Sequence, residues 1–165
     1  MANPPSLEIR LARPEDAEAM HAAILRLGGH LDMTAKIKST AEDFRRFGFG
    51  ADPAFTGLIA EVDGAFAGMT LFFPIFSTWL GRPGVYVQDL YVEDRFRGLR
   101  VGERLMRAVA AWSHRRGGVY IRLAVDVGNV GAQAFYEKLG LGWLDTDREH
   151  AAYGEAFLAL ARDRN

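Results

Sequence analysis

Cysteine is absent from the 165-residue chain. That excludes disulfides, thiolate metal ligands and a cysteine nucleophile together, and it suits a reducing compartment. No charge sign is in excess either, since 20 basic residues face 21 acidic ones for a formal net charge of −1. The electrostatic footprint of a nucleic-acid or anionic-membrane binder is therefore missing, and neither is expected as a partner. Long apolar runs are missing too. The longest, MTLFFPIF, falls far short of the ~20 residues that a membrane-crossing helix needs. The opening MANPPSLEIR has neither the basic region nor the apolar core of a secretory leader, so a cytoplasmic location is expected. His21, His30, His114 and His150 are scattered without ligand spacing, so no metal is expected. No G-x-S-x-G elbow places a serine nucleophile.

What is present has an ordinary globular balance, 49% hydrophobic and 25% charged. The length fits one domain over residues 1–165, with residues 1–6 expected as a flexible N-terminus. Leu7, Ile9 and Leu11 alternate with polar residues, which predicts a strand. Ala17, Met20, Ile24 and Leu27 follow a helical period after Pro14, and Gly28-Gly29 is read as the stop. Ser39 and Glu42 have capping-box spacing ahead of a second short helix that ends near Gly48. Residues 58–62 and 65–73 flank Asp63-Gly64, a favoured hairpin turn, and Pro74 is expected to end the pairing or form a bulge.

Residues 85–92, VYVQDLYV, read as a strong strand. After the loop EDRFRGLR, Val101, Leu105, Val109 and Trp112 mark one face of a helix that runs to about Arg116. Residues 119–125 alternate as a further strand. Ala132, Phe135, Tyr136 and Leu139 mark another helix that ends at Gly140. Two last strands are expected around 141–145 and 155–160, the second also compatible with helix.

The order strand, glycine-bearing loop, helix matters chemically. A helix N-terminus offers unpaired N–H groups and the positive end of a dipole, which together bind phosphate oxygens. Gly98 and Gly102 allow close approach, and Arg97 and Arg100 add charge. Alone, this spacing fits a tight turn with solvated arginines better than a cradle, because short glycine patterns recur by accident. It is neither a Walker A nor a G-x-G-x-x-G sequence.

Downstream, VDVGNVGAQAFYEKLGLGW carries a strand into Asn129 and then a helix with Phe135-Tyr136-Glu-Lys-Leu-Gly140. With both blocks in order, the chain resembles the GNAT superfamily of acyl-CoA N-acyltransferases. The family's loop R/Q-x-x-G-x-G/A reads here as Arg97-Gly98-Leu99-Arg100-Val101-Gly102, with Arg100 in place of the middle glycine. Phe47-Gly-Phe-Gly50, Ile59-Ala-Glu-Val62, Phe76-Ser-Thr-Trp-Leu-Gly81 and Val87-Gln-Asp-Leu-Tyr-Val92 bring it closest to the diamine/polyamine (spermidine/spermine) acetyltransferase branch.

The resemblance implies an α/β fold with a mixed, mostly antiparallel seven-stranded sheet and about four helices. It implies acetyl-CoA in a V-shaped opening between the strands containing Leu90 and Leu123, with CoA as product. Leu90, Tyr91 and Val92 would meet the pantetheine. Arg97, Gly98, Leu99, Arg100, Val101, Gly102 and Glu103 would hold the pyrophosphate, and Asn129, Val130, Gly131 and Ala132 the later part of the cofactor. Tyr136 matches the position of the general acid, and a phenol, with a reference pKa of about 10, remains protonated at neutral pH. Without the resemblance, a core aromatic is as good a reading of Tyr136.

The branch typically carries Glu-Asp where this chain reads Gln88-Asp89. Gln88 can hydrogen-bond an amine but accepts no proton at useful pH. Asp89 is the candidate base, although regular alternation sets it on the opposite face from Gln88 unless a bulge re-aims it. A water relay needs no side-chain base. Gln88 and Trp79 are the candidate substrate contacts, Trp79 through an alkyl chain or a cation, though burial in the hairpin is the commoner fate of such a residue.

Only Asp32 supplies negative charge between Leu27 and Ser39, against Lys36 and Lys38. The expected activity is direct acetyl transfer to a primary amine of a small molecule, diamine/polyamine-like or amino-acid-like. An acyl-CoA sensor without catalysis, and transfer to a peptide or protein amine, are the alternatives. A nucleotide-binding module would leave FYEKLG a coincidence. The resemblance also implies a homodimer, often formed through C-terminal strands; the apolar run Ala156-Phe-Leu-Ala-Leu160 suits that purpose and an internal strand equally.

Overall fold

A computed structural model describes residues 5–162. The chain divides into two compact units, Met1–Gly128 and Asn129–Asn165. The first contains a five-stranded sheet in the order β1-β2-β3-β4-β5. Its strands are β1 (Leu7–Leu11), β2 (Thr56–Val62), β3 (Ala65–Ser77), β4 (Arg82–Val92) and β5 (Ile121–Leu123). Three helices belong to the same unit: α1 (Ala17–His30), α2 (Ala41–Gly48) and α3 (Val101–His114). The second unit contains α4 (Val130–Lys138) and α5 (Gly154–Ala161). The expected flexible segment 1–6 falls largely outside the described residues.

Strands β1 to β4 are antiparallel neighbours, and β5 joins β4 in parallel. Asp63 and Gly64 both have positive φ, 48° and 77°, which matches the right-handed twist of the β2–β3 ribbon in a two-residue turn. One face of the sheet is covered by α1 and α2, where Ala17, Met20, Ala23 and Phe44 pack with Ile59, Met69, Leu71 and Tyr91. On the other face α3 buries Val101, Leu105 and Val109, and Trp112 meets Phe72 edge-on at 5.0 Å between ring centroids. Arg10 ties β1 to its neighbours: its guanidinium donates to both Asp16 oxygens at 2.7 and 2.8 Å and to Glu61 at 2.7 Å.

Several sequence expectations need correction. Helix α1 does not stop at Gly28-Gly29 but continues to His30. Gly28 serves packing instead, since a Cβ there would lie 2.5 Å from the Ile37 side chain. The cap of α2 is Thr40, not Ser39. The Thr40 hydroxyl accepts from the Asp43 N–H at 3.3 Å, and Asp43 accepts from the Thr40 N–H at 2.7 Å. Pro74 neither ends β3 nor forms its bulge, because it pairs with Val85 within a strand that reaches Ser77.

The two C-terminal strands do not form among the described residues. Residues 141–145 lack regular structure, and 154–161 are helical, as the alanines, leucines and Glu155 of that segment favour. Among the described residues the sheet therefore has five strands where seven were expected, and five α-helices stand where about four were expected.

Candidate active site

Strands β4 and β5 pair over three residues only, from Val85↔Ile121 to Val87↔Leu123. β5 ends there, while β4 continues to Val92. Among the described residues of the first unit, the β5-side edge of β4 from Gln88 to Val92 has no strand beside it. Such an edge presents backbone N–H and C=O groups to an extended, amide-bearing ligand. Leu90, Tyr91 and Val92 lie on this edge.

The parting of the strands coincides with a change of register on the other side of β4. Leu71 stands opposite Asp89, but Phe72 stands opposite Val87, so Gln88 is an extra residue in β4. In a regular strand, residues 87 and 89 share a face. Cross-strand partners also share a face, so Val87 follows Phe72 to the α3 side while Asp89 follows Leu71 to the side of α1 and α2. The bulge at Gln88 thus re-aims the carboxylate. Burial raises the Asp89 pKa to about 6. The Thr70 hydroxyl donates to the Asp89 carbonyl at 2.9 Å. Gln88 itself is exposed.

Beyond Val92 the chain makes a 3-10 turn at Asp94–Phe96 and enters the glycine loop. Gly98 has φ 87° and Arg100 has φ 60°, both in the left-handed region. A glycine would adopt the Arg100 conformation more freely, because a Cβ is disfavoured there. The first turn of α3 follows at once, and helix geometry leaves the N–H groups of Val101, Gly102 and Glu103 without intrahelical acceptors.

The arginines of the loop are held by neighbouring carboxylates. Arg97 pairs with Asp94 at 2.8 Å, and Arg100 donates to both Glu103 oxygens at 2.8 Å. Arg107 also donates to Glu103 at 2.8 Å. Together Arg100 and Arg107 hold the Glu103 carboxyl below its usual range. A Cβ added at Gly98 would meet nothing within 4 Å, so the loop is open at that point, and Leu99 is exposed.

Helix α1 is fastened to the same end of β4. Arg26 pairs with Glu93, and His30 lies 3.7 Å from Asp94 and stacks on Tyr91 with ring centroids 6.2 Å apart. These contacts join distant parts of the chain and had no signal in the sequence.

In the second unit, Asn129 caps α4 by accepting from the Ala132 N–H at 3.1 Å. Val130 and Gly131 are exposed in the first turn of that helix. Tyr136 is half-buried and meets the Phe135 ring edge-on at 5.1 Å.

Gln88 to Val92 and Arg97 to Glu103 are therefore brought together as one continuous strand–loop–helix, whereas Trp79 is not part of it. Trp79 lies in the turn between β3 and β4 and is 97% exposed, so it is not buried in the hairpin. Arg82 begins β4 just after that turn. With a rise of about 3.3 Å per residue, Asp89 lies roughly 23 Å further along the strand. A separate open groove of about 450 Å³ between β1 and α3, lined by Ile9, Leu58, Trp112 and Arg115, includes none of these residues.

An unpaired strand edge beside a half-buried carboxylate, running into a helix start whose first N–H groups lack intrahelical acceptors, suits an acyl-group transferase. Comparison with known proteins agrees. A model of the acetyltransferase (GNAT) family matches residues 28–141. Thialysine N-epsilon-acetyltransferase of Mus musculus is 33% identical over 171 residues, covering 94% of this chain and 98% of that protein. The fold resembles an integron cassette protein of V. cholerae at TM-score 0.79 and 17% identity, covering 96% and 99% of the two chains. It also resembles aminoglycoside N-acetyltransferase AAC(6')-Iy, solved in complex with CoA, at TM-score 0.70 and 18% identity, covering 92% and 98%. The chain belongs to the acetyltransferase (GNAT) family and is an acyltransferase.

Proposed function

We propose that the protein transfers an acetyl group from acetyl-CoA directly to the primary amine of a small, amino-acid-like molecule. The observation that carries this reading is the coincidence at one point of β4 of the parted strand edge and the bulge that turns Asp89 toward α1 and α2. The residues fit an acyl-CoA. The open edge suits a chain of amides, and the N–H groups at the start of α3 suit a diphosphate. When bound, acetyl-CoA supplies an acetyl group already activated as a thioester.

The chain's own residues supply the rest. Leu90, Tyr91 and Val92 offer backbone groups to the pantetheine amides, and Gly98 to Glu103 receive the diphosphate. By the family resemblance, Asn129 to Ala132 would hold the later part of the cofactor. Asp89 takes a proton from the incoming ammonium, directly or through a water, which frees the nitrogen lone pair. As the new C–N bond forms and the C–S bond breaks, the Tyr136 hydroxyl would give its proton to the departing sulfur, and the second proton shed by the nitrogen would return the phenolate to a phenol. Gln88, exposed at the bulge, hydrogen-bonds the acceptor.

The acceptor side favours an amino-acid-like amine over a polycation. Lys36 and Lys38 accompany Asp32 between α1 and α2, and the relative from mouse is named for thialysine. Trp79 contacts an acceptor only where the acceptor, or a second copy of the chain, extends to the β3–β4 turn. A homodimer and a cytoplasmic location are part of the proposal. Light scattering of the purified protein tests the assembly.

Thiol release from acetyl-CoA, measured with thialysine, lysine, ornithine, putrescine and spermidine, tests the activity. Turnover with the amino acids above that with the polyamines is expected. Silence with every amine while CoA binds tightly would establish a sensor instead.

A further inference from the structure

The buried hydroxyl of Thr70 has a place in this machinery that no sequence pattern announces. Thr70 lies in the apolar middle of β3 and is 0% exposed. A buried hydroxyl without a partner is costly, so its single strong contact carries weight. That contact crosses to β4, where Thr70 Oγ1 donates to the Asp89 carbonyl at 2.9 Å. Thr70 pairs with Leu90, immediately beside the place where Gln88 breaks the register.

A bulge disrupts the local ladder and leaves its backbone less constrained than a regular strand. We propose that Thr70 is a positioning residue for acetyl transfer, holding the Asp89 carbonyl so that the bulge keeps one geometry and the Asp89 carboxylate one position. Two features support this. The hydroxyl grips the backbone of the very residue whose side chain the bulge re-aims. Also, β3 alternation sets Thr70 with Phe72 on the α3 face, so its side chain does not share the acceptor's side of the sheet. It acts through Asp89 and not on the substrate.

The inference rests on Asp89 as the base. Thr70→Val removes the hydroxyl at nearly constant shape, and Thr70→Ser keeps it. A displaced catalytic group can cost up to about a hundredfold in rate, so a loss near tenfold in kcat is expected for Thr70→Val, with CoA affinity unchanged and kcat restored in Thr70→Ser. In the ligand-free protein, amide hydrogen exchange across residues 87–90 should quicken in Thr70→Val but not in Thr70→Ser. Added to Asp89→Asn, Thr70→Val should cause no further loss of kcat, because both act through one carboxylate.

Wild-type kcat and exchange in Thr70→Val would overturn the inference, as would a loss that adds fully to that of Asp89→Asn. If Thr70→Val folds poorly, Thr70→Ala against Thr70→Ser, which differ by one oxygen, makes the same comparison. The two proposals fail separately. Wild-type kcat in Asp89→Asn alone sinks the base assignment, whereas a silent Thr70→Val beside an impaired Asp89→Asn sinks only the role of Thr70.

Discussion

Arg100, in the left-handed region at φ 60°, turns its guanidinium back onto Glu103 through two hydrogen bonds of 2.8 Å. The side chain thereby leaves the loop's backbone groups clear, and Arg107 completes the pairing from the next turn of α3. The backbone, not the guanidinium, is thus the expected phosphate-binding element.

Arg100→Gly removes an exposed ion pair, of a kind that contributes little, and relieves a conformation that glycine adopts freely. CoA affinity is expected to stay close to wild type, as calorimetric titration would show. A collapse of binding would instead make the guanidinium a principal phosphate ligand, released from Glu103 when CoA arrives.

Asp89→Asn separates catalysis from stability. A general base contributes about 10²- to 10⁴-fold, so kcat should fall by about a hundredfold or more while CoA still binds. Burial raises the Asp89 pKa from 3.8 to about 6, so the folded protein favours the protonated acid. Stability is therefore lost as pH rises from about 4 to about 6, and the loss is constant above that. The full shift corresponds to roughly 3 kcal/mol. Denaturant unfolding at pH 8 should find Asp89→Asn more stable than wild type, and the gain should vanish near pH 4. In the wild type, kcat/KM should rise through the same window as Asp89 ionises. A less stable Asn variant at pH 8 would show that the carboxylate is held by contacts other than burial.

Most of this site is local in sequence, and so it could be read there. Strand 85–92, the loop and the start of α3 follow one another within about twenty residues, each with its own pattern. Asp63-Gly64 likewise defines its turn without help from afar. The bulge at Gln88 is different in kind, because it is a mismatch between β3 and β4 and neither strand's pattern reveals it. Thr70 is likewise one hydroxyl in an apolar strand, and only the neighbouring β4 supplies its acceptor. The C-terminal strands failed for another reason: the run Ala156-Phe-Leu-Ala-Leu160 carries no alternation that would set strand apart from helix, and α5 formed.

Tyr136→Phe tests the proton donor proposed for the sulfur. The substitution keeps the ring that meets Phe135 on α4 and removes only the hydroxyl. A fall in kcat of about a hundredfold, with KM for acetyl-CoA and CoA affinity little changed, is the expected result. A normal kcat would take Tyr136 out of the acid role and leave the thiolate to depart unassisted.

Asp16 tests what anchors the edge of the sheet. Its carboxylate receives Arg10 at 2.7 and 2.8 Å and the Arg13 N–H at 2.7 Å. The side chains of Arg10 and Asp16 are 28% and 15% exposed. Hydrogen bonding from Arg10 holds the Asp16 pKa below 3.8. The stabilisation is therefore complete above about pH 4 and is lost as pH falls through the lower folded value. Asp16→Asn should cost about 1–3 kcal/mol at pH 7, less than a fully buried pair would, because water still reaches both groups. At pH 2 the difference from wild type should narrow. Glu42→Gln is the control, since Glu42 pairs with Arg45 at 3.2 Å with its side chain 76% exposed, and it should leave stability unchanged at either pH. Equal losses from the two substitutions would mean that Arg10 contributes no more to the β1 edge than an ordinary surface charge.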